Sequence, residues 1–112
     1  MRFLIGKINS SKTHTTSYGS CTNLHISIYA SNEKALWGEV KVVCWGNQSN
    51  EAEKLNKKQL VMVEFGNYGK ETYKGKEKLK VTARRITKSS KRELSIYQKD
   101  AEGLHDPFGF GR

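Results

Sequence analysis

The sequence is short of most features that specialised scaffolds require. Its 112 residues hold two cysteines, Cys21 and Cys44, which excludes a secreted disulfide framework. No apolar run approaches the ~20 residues needed to cross a bilayer. The opening Met1-Arg2-Phe3-Leu4-Ile5-Gly6 is too short for the apolar core of a secretory leader. The three histidines (His14, His25, His105) and two cysteines lack zinc-binding spacing, and no glycine-rich phosphate loop follows a strand. Carboxylates are scattered, with no pair placed for acid–base work. The expectation is a non-enzymatic, intracellular protein of one small domain, with no metal, no cofactor and no membrane partner.

Acidic charge is also scarce: 11 Asp+Glu stand against 20 Lys+Arg, a net charge of +9. The imbalance is local. Residues 1–67 carry a net +3, residues 68–92 a net +8 and residues 93–112 a net −2. So concentrated a positive segment favours a polyanionic partner, or else forms a solubilising face.

Hydropathy alternates with period two over most of the chain, the mark of half-buried strands. Five strands are predicted, over residues 3–9, 21–30, 37–46, 60–66 and 78–86. Leu24, Ile26 and Ile28 would point inward, as would Val40, Val42 and Cys44, then Val61, Val63 and Phe65, and lastly Leu79, Val81 and Ala83. Cys21 and Cys44 fall on opposite parities of adjacent strands, so no disulfide is expected and Cys44 reads as a small core residue.

Between the third and fourth strands, residues 48–57 read as a short helix capped by Ser49 or Asn50, with Glu51 and Glu53 near its positive end. Residues 10–20 read as a polar loop and 67–77 as a long basic hairpin tip. Five strands with one helix between the third and fourth is the element order of an oligonucleotide-binding (OB) barrel, an all-β fold. An SH3-like barrel, the main competitor, lacks that helix. The barrel is assigned to residues 1–88. Residues 89–112 are assigned to a C-terminal tail, flexible or packed on a neighbouring subunit.

On the third strand Trp37 and Trp45 share outward parity with Lys41. Tyr68 and Tyr73 fall in the basic hairpin, among Lys70, Lys74, Lys76, Lys78, Lys80 and Arg84. Unpaired bases stack on aromatic rings while Lys and Arg neutralise the backbone between them, so these eleven residues are the candidate single-stranded-nucleic-acid site. The plainer alternative is that the indoles pack under a loop, the tail or a second subunit.

With these residues in place the chain resembles the bacterial single-stranded-DNA-binding protein family over roughly residues 2–87. The resemblance rests on Phe3-Leu4-Ile5-Gly6-Lys7-Ile8, Leu24-His25-Ile26-Ser27-Ile28-Tyr29-Ala30, Val40-Lys41-Val42-Val43-Cys44-Trp45-Gly46 with Glu51-Ala52-Glu53, and Lys57-Lys58 before Leu60-Val61-Met62-Val63-Glu64. It implies an OB fold that forms a homo-oligomer, a tetramer in preference to a dimer. It further implies a cytoplasmic, nucleoid-associated protein that coats single-stranded DNA without sequence preference in replication, recombination and repair. Trp45 falls at the family's stacking aromatic, Trp37 near its other third-strand aromatic, and Tyr68 or Tyr73 near its hairpin aromatic. The resemblance also implies an acidic tip that recruits replication and repair proteins, and since Asp106-Pro107-Phe108 is followed here by Gly-Phe-Gly-Arg, a short form lacking that tip is expected. Two other roles for the same barrel are a replication-restart (primosomal) adaptor acting through protein contacts and an RNA-binding cold-shock-like module.

Overall fold

A computed structural model describes residues 1–104, with the side chains of Tyr73 and of residues 99–104 outside the description. The elements are β1 (Arg2–Thr16), β2 (Gly19–Ser31), β3 (Glu39–Trp45), α1 (Asn47–Glu53), β4 (Leu60–Tyr73), β5 (Lys76–Lys88) and α2 (Lys91–Leu104). The strands close into a barrel in the order β1-β2-β3-β5-β4. β3 and β5 pair in parallel, and the other neighbours are antiparallel.

The period-two pattern fills this barrel as expected. Leu24, Ile26, Ile28, Val40, Val42, Cys44, Val61, Val63, Phe65, Val81 and Ala83 are all buried in one cluster, with half-buried Leu79 packed against it. Both cysteines are free and buried, and desolvation pushes the Cys44 thiol up to about 12. Closure depends on β1 pairing with both β2 and β4, which requires a sharp change of register at Ile5/Gly6. Gly6 is buried there, and a Cβ on it would collide with the Ser27 carbonyl and the Ile26 side chain. Only glycine lets the two backbones approach so closely.

The structure departs from the sequence expectations at several places. Residues 10–20 are not a loop. They extend β1 and β2 into a two-stranded arm, paired from Ser10↔His25 to Thr16↔Gly19, and its polar sequence reflects two solvated faces. Residues 67–77 form the expected hairpin, drawn out into an arm in which β4 and β5 stay paired to Tyr73↔Lys76. Its turn residues Lys74 and Gly75 have φ of 51° and 77°, the positive pair that a tight hairpin needs.

Helix α1 starts at Asn47, after Gly46, and no side chain caps it. Ser49, an expected cap, is buried inside the helix, where its hydroxyl bonds the hydroxyls of Thr22 (2.7 Å) and Ser20 (2.9 Å). Pairing two buried hydroxyls at the barrel end outweighs a cap there. Glu51 and Glu53 accordingly fall late in the helix and not in its first turn.

Beyond residue 88 the chain forms α2. Glu93 N–H donates to the Ser90 hydroxyl at its start (3.1 Å), and the Ser89 hydroxyl donates to the Glu93 carboxylate (2.6 Å). Tyr97 meets the Phe3 ring at 4.8 Å and the Gln98 amide donates to the Tyr29 carbonyl (3.2 Å), which lays the helix on its own barrel. The Ser-x-x-Glu spacing of Ser90 and Glu93 is the signal that marks this start. Residues 105–112, the end of the expected tail, lie outside the described residues.

Candidate nucleic-acid interface

Residues opposite in parity to the core stripe project from β2, β3 and β5 as aligned rows. Register places His25 beside Lys41 and Lys41 beside Lys80. The preceding row runs Ser27, Glu39, and the next runs Asn23, Val43, Thr82. Lys41 and Lys80 are half-buried here, as is His25, while Val43 is buried. Three carboxylates hold lysines on this side: Lys41 Nζ lies 3.1 Å from Glu71, Lys78 Nζ 3.5 Å from Glu39, and Lys70 Nζ 3.7 Å from Glu77. The Asn9 amide also donates to Glu39 (2.8 Å).

Two clefts open on this surface, and Lys78 lines both. One, of about 490 Å³, is polar: Ser10, Ser11, Lys12, Asn23, His25, Lys41 and Glu71 complete its walls. The other, of about 530 Å³, combines aromatic and apolar residues, Trp37, Tyr68, Leu79 and Ala35, with Glu39, Gly69, Lys70 and Glu77.

Charges within the polar cleft perturb one another. Partial burial, then the Lys78 and Lys41 ammonium groups, push the His25 imidazole below the usual histidine range, against an opposing pull from Glu39. His25 Nδ1 is buried without a hydrogen-bond partner among the described residues, 3.8 Å from Glu39 Oε1. The hydrogen bond from Lys41 holds the Glu71 carboxyl below its ordinary range, with the charges of Lys41 and Lys80 adding to it.

The sequence-predicted residues separate into groups. Trp37 is not on the third strand, which begins only at Glu39 because Gly38 adopts φ 76°. The indole stands on the β2–β3 loop, 73% exposed. Trp45 ends β3 opposite Cys21, 42% exposed, and lines neither cleft. Tyr68 is half core residue: its ring meets Phe65 edge-on at 6.3 Å, the Arg2 guanidinium lies 5.6 Å above it, and its remaining surface borders the aromatic cleft. Lys41, Lys70 and Lys78 line the clefts, and Lys80 sits in the same row as Lys41.

Lys74 and Lys76 are exposed around the tip of the β4–β5 arm. Arg84 is exposed with its guanidinium lying against Gly66, where a Cβ would meet it. The Tyr73 side chain lies outside the described residues, and its backbone ends β4. Sequence reasoning missed the β1–β2 arm's share of the polar cleft, namely Ser10, Ser11 and Lys12. The available signal was the threonine-rich run Thr13-His14-Thr15-Thr16, three of its four residues β-branched, ahead of Tyr18-Gly19. Tyr18, at the tip of that arm, is 92% exposed.

A closed five-stranded barrel of this order, with a helix between β3 and β4 and a cationic face on β2, β3 and β5, is an OB fold. No protein-family profile matches the sequence, and neither does any curated protein. Solved structures do match. The chain is similar to a small single-stranded DNA-binding protein from Streptomyces coelicolor at 12% identity and a TM-score of 0.63, over 82% of this chain and 96% of that one. It is similar to the second single-stranded DNA-binding protein of Mycobacterium smegmatis at 22% identity and a TM-score of 0.62, over 80% of this chain and 86% of that one. A mitochondrial single-stranded DNA-binding protein of S. cerevisiae aligns at 18% identity and a TM-score of 0.52, over 79% and 94%. At these identities what is shared is the fold, and the resemblance read from the sequence holds at that level.

Proposed function

We propose that this protein binds single-stranded DNA on the β2–β3–β5 face, without enzymatic activity. The observation that carries the reading is the pairing, on one face, of an aromatic cleft under exposed Trp37 with a lysine-lined polar cleft, joined at Lys78. Stacked bases and neutralised phosphates are the two things an unpaired strand asks of a protein. Single-stranded DNA-binding proteins of the same fold support it.

In this reading Trp37, Trp45, Tyr68 and Tyr73 stack on bases. Lys41, Lys70, Lys74, Lys76, Lys78, Lys80 and Arg84 contact phosphates. The family resemblance extends the proposal to a cytoplasmic homo-oligomer, a tetramer in preference to a dimer, that coats strands during replication, recombination and repair. Light scattering at several concentrations tests the assembly.

The binding test is a titration of intrinsic tryptophan fluorescence with a mixed-sequence single strand and with the matching duplex, each at two salt concentrations. The expected result is quenching by the single strand that weakens with salt, and little response to duplex. Absence of quenching, or equal weak responses, would transfer the indoles to a protein interface and favour the primosomal-adaptor role.

A further inference from the structure

The carboxylates on the binding face are not scattered among the lysines; they hold them. Glu71, on the β4–β5 arm, reaches Lys41 on β3, thirty residues away, while Glu39 on β3 reaches Lys78 on β5. Register sets Glu71 opposite Lys78 and Lys41 beside Lys80, so the carboxylates stand among lysines at the junction of the two clefts. We propose that Glu39 and Glu71 set the strength and the salt sensitivity of polyanion binding on this face: they occupy Lys78 and Lys41 in the free protein, and an arriving strand must displace them. The inference rests on the single-strand-binding reading.

The physical argument is competition for one donor. A carboxylate and a phosphate make the same demand on a lysine ammonium, and their mutual repulsion keeps both from sharing it closely. Both pairs are reached by water and salt, with side-chain exposures of 24% and 38% for Lys41 and Glu71, and 43% each for Lys78 and Glu39. Such pairs are weak, so they exchange for phosphate readily. The displaced carboxylates nevertheless remain beside the strand and oppose it. The face is therefore tuned toward a continuous strand that supplies several phosphates at once and against a lone anion.

The test compares Glu71→Gln, Glu39→Gln and a control, Glu51→Gln, with the unmodified protein. Glu51 pairs with Lys54 at α1 and lines neither cleft, so the control changes net charge equally. Binding of a mixed-sequence single-stranded oligonucleotide is measured across a salt series, and thermal unfolding is followed in parallel. Glu71→Gln should bind severalfold more tightly at low salt, with a log–log salt slope steeper by up to about 0.7. Glu39→Gln should move the same way, and Glu51→Gln should do neither. Equal or weaker binding by a folded Glu71→Gln would overturn the proposal, because the carboxylate would then be positioning Lys41. Tightening by Glu51→Gln as large as that by Glu71→Gln would also overturn it, as an effect of net charge alone. Should Glu71→Gln not fold, the direction of the Glu39→Gln change decides. An unmodified protein that shows no salt-dependent binding removes the single-strand reading itself, and this inference with it.

Discussion

The two clefts that share Lys78 are nearly equal in size, about 530 and 490 Å³, and differ in the residues that line them. The aromatic cleft is built where the barrel's own interior reaches the surface. Tyr68 leans on Phe65, Leu79 packs against the core cluster, and Trp37 is added from a loop. The polar cleft is built where the two arms leave the barrel. Ser10, Ser11, Lys12 and Glu71 come from the arms and Asn23, His25 and Lys41 from the outward face of the barrel strands, and the Lys41–Glu71 ion pair joins the two. The contrast shows two ways this barrel shapes its surface: it exposes the edge of its core, or it projects hairpins beyond it.

The largest expected effect tests whether the aromatic cleft truly shares the core. Phe65→Ala should cost about 3–5 kcal/mol of stability, read from chemical denaturation, because Phe65 is fully buried and supports Tyr68. A small loss would separate the cleft from the core. Next, Trp37→Ala should weaken single-strand binding by about 1–3 kcal/mol and leave the unfolding midpoint unchanged, since the indole is largely exposed. The same change at Trp45, outside both clefts, ranks the two rings directly; a larger loss at Trp45 would move the stacking site to the end of β3. Third, Lys78→Gln, at the junction, should reduce the salt slope by about 0.7, and an unchanged slope would remove Lys78 from the path of the strand.

The smallest effect concerns pH. In the free protein the His25 imidazole is depressed, so the unfolded chain binds the proton more readily. Its contribution to stability is therefore present above the ordinary histidine range and is lost as pH falls through the depressed value. A phosphate between Lys41 and Lys78 would favour the imidazolium, so strand binding should strengthen as pH falls through that range, by less than about tenfold. His25→Asn should flatten the profile, and a profile unchanged by that substitution would place the proton uptake elsewhere.

Much of the barrel was legible from residue order. Alternation of Leu24, Ile26, Ile28 and of Val40, Val42, Cys44 identified the inward faces correctly, because burial on one side of a strand imposes period two directly on the sequence. The arms were not legible as strands, since Ser10–Thr15 are exposed and, of residues 67–72, only Tyr68 and Glu71 are half-buried, too little burial to impose it. Trp37 carried the right parity and the wrong address: Gly38 stops β3 one residue short of it. Helix α2 has no strand period, and its one local mark in the sequence is the Ser90–Glu93 capping pair.

What the sequence alone determined is the all-β barrel, its inward residues, the helix between β3 and β4, and the concentration of positive charge after residue 67. These follow from local periodicity and composition, which neighbouring residues express together. What only the tertiary structure decided is which charges meet. Glu71 finds Lys41 and Glu39 finds Lys78 because β3 lies parallel to β5 and the arms fold alongside. Partners thirty or more residues apart leave no local pattern, and an ion pair depends on the few ångströms between side chains that only closure of the barrel fixes.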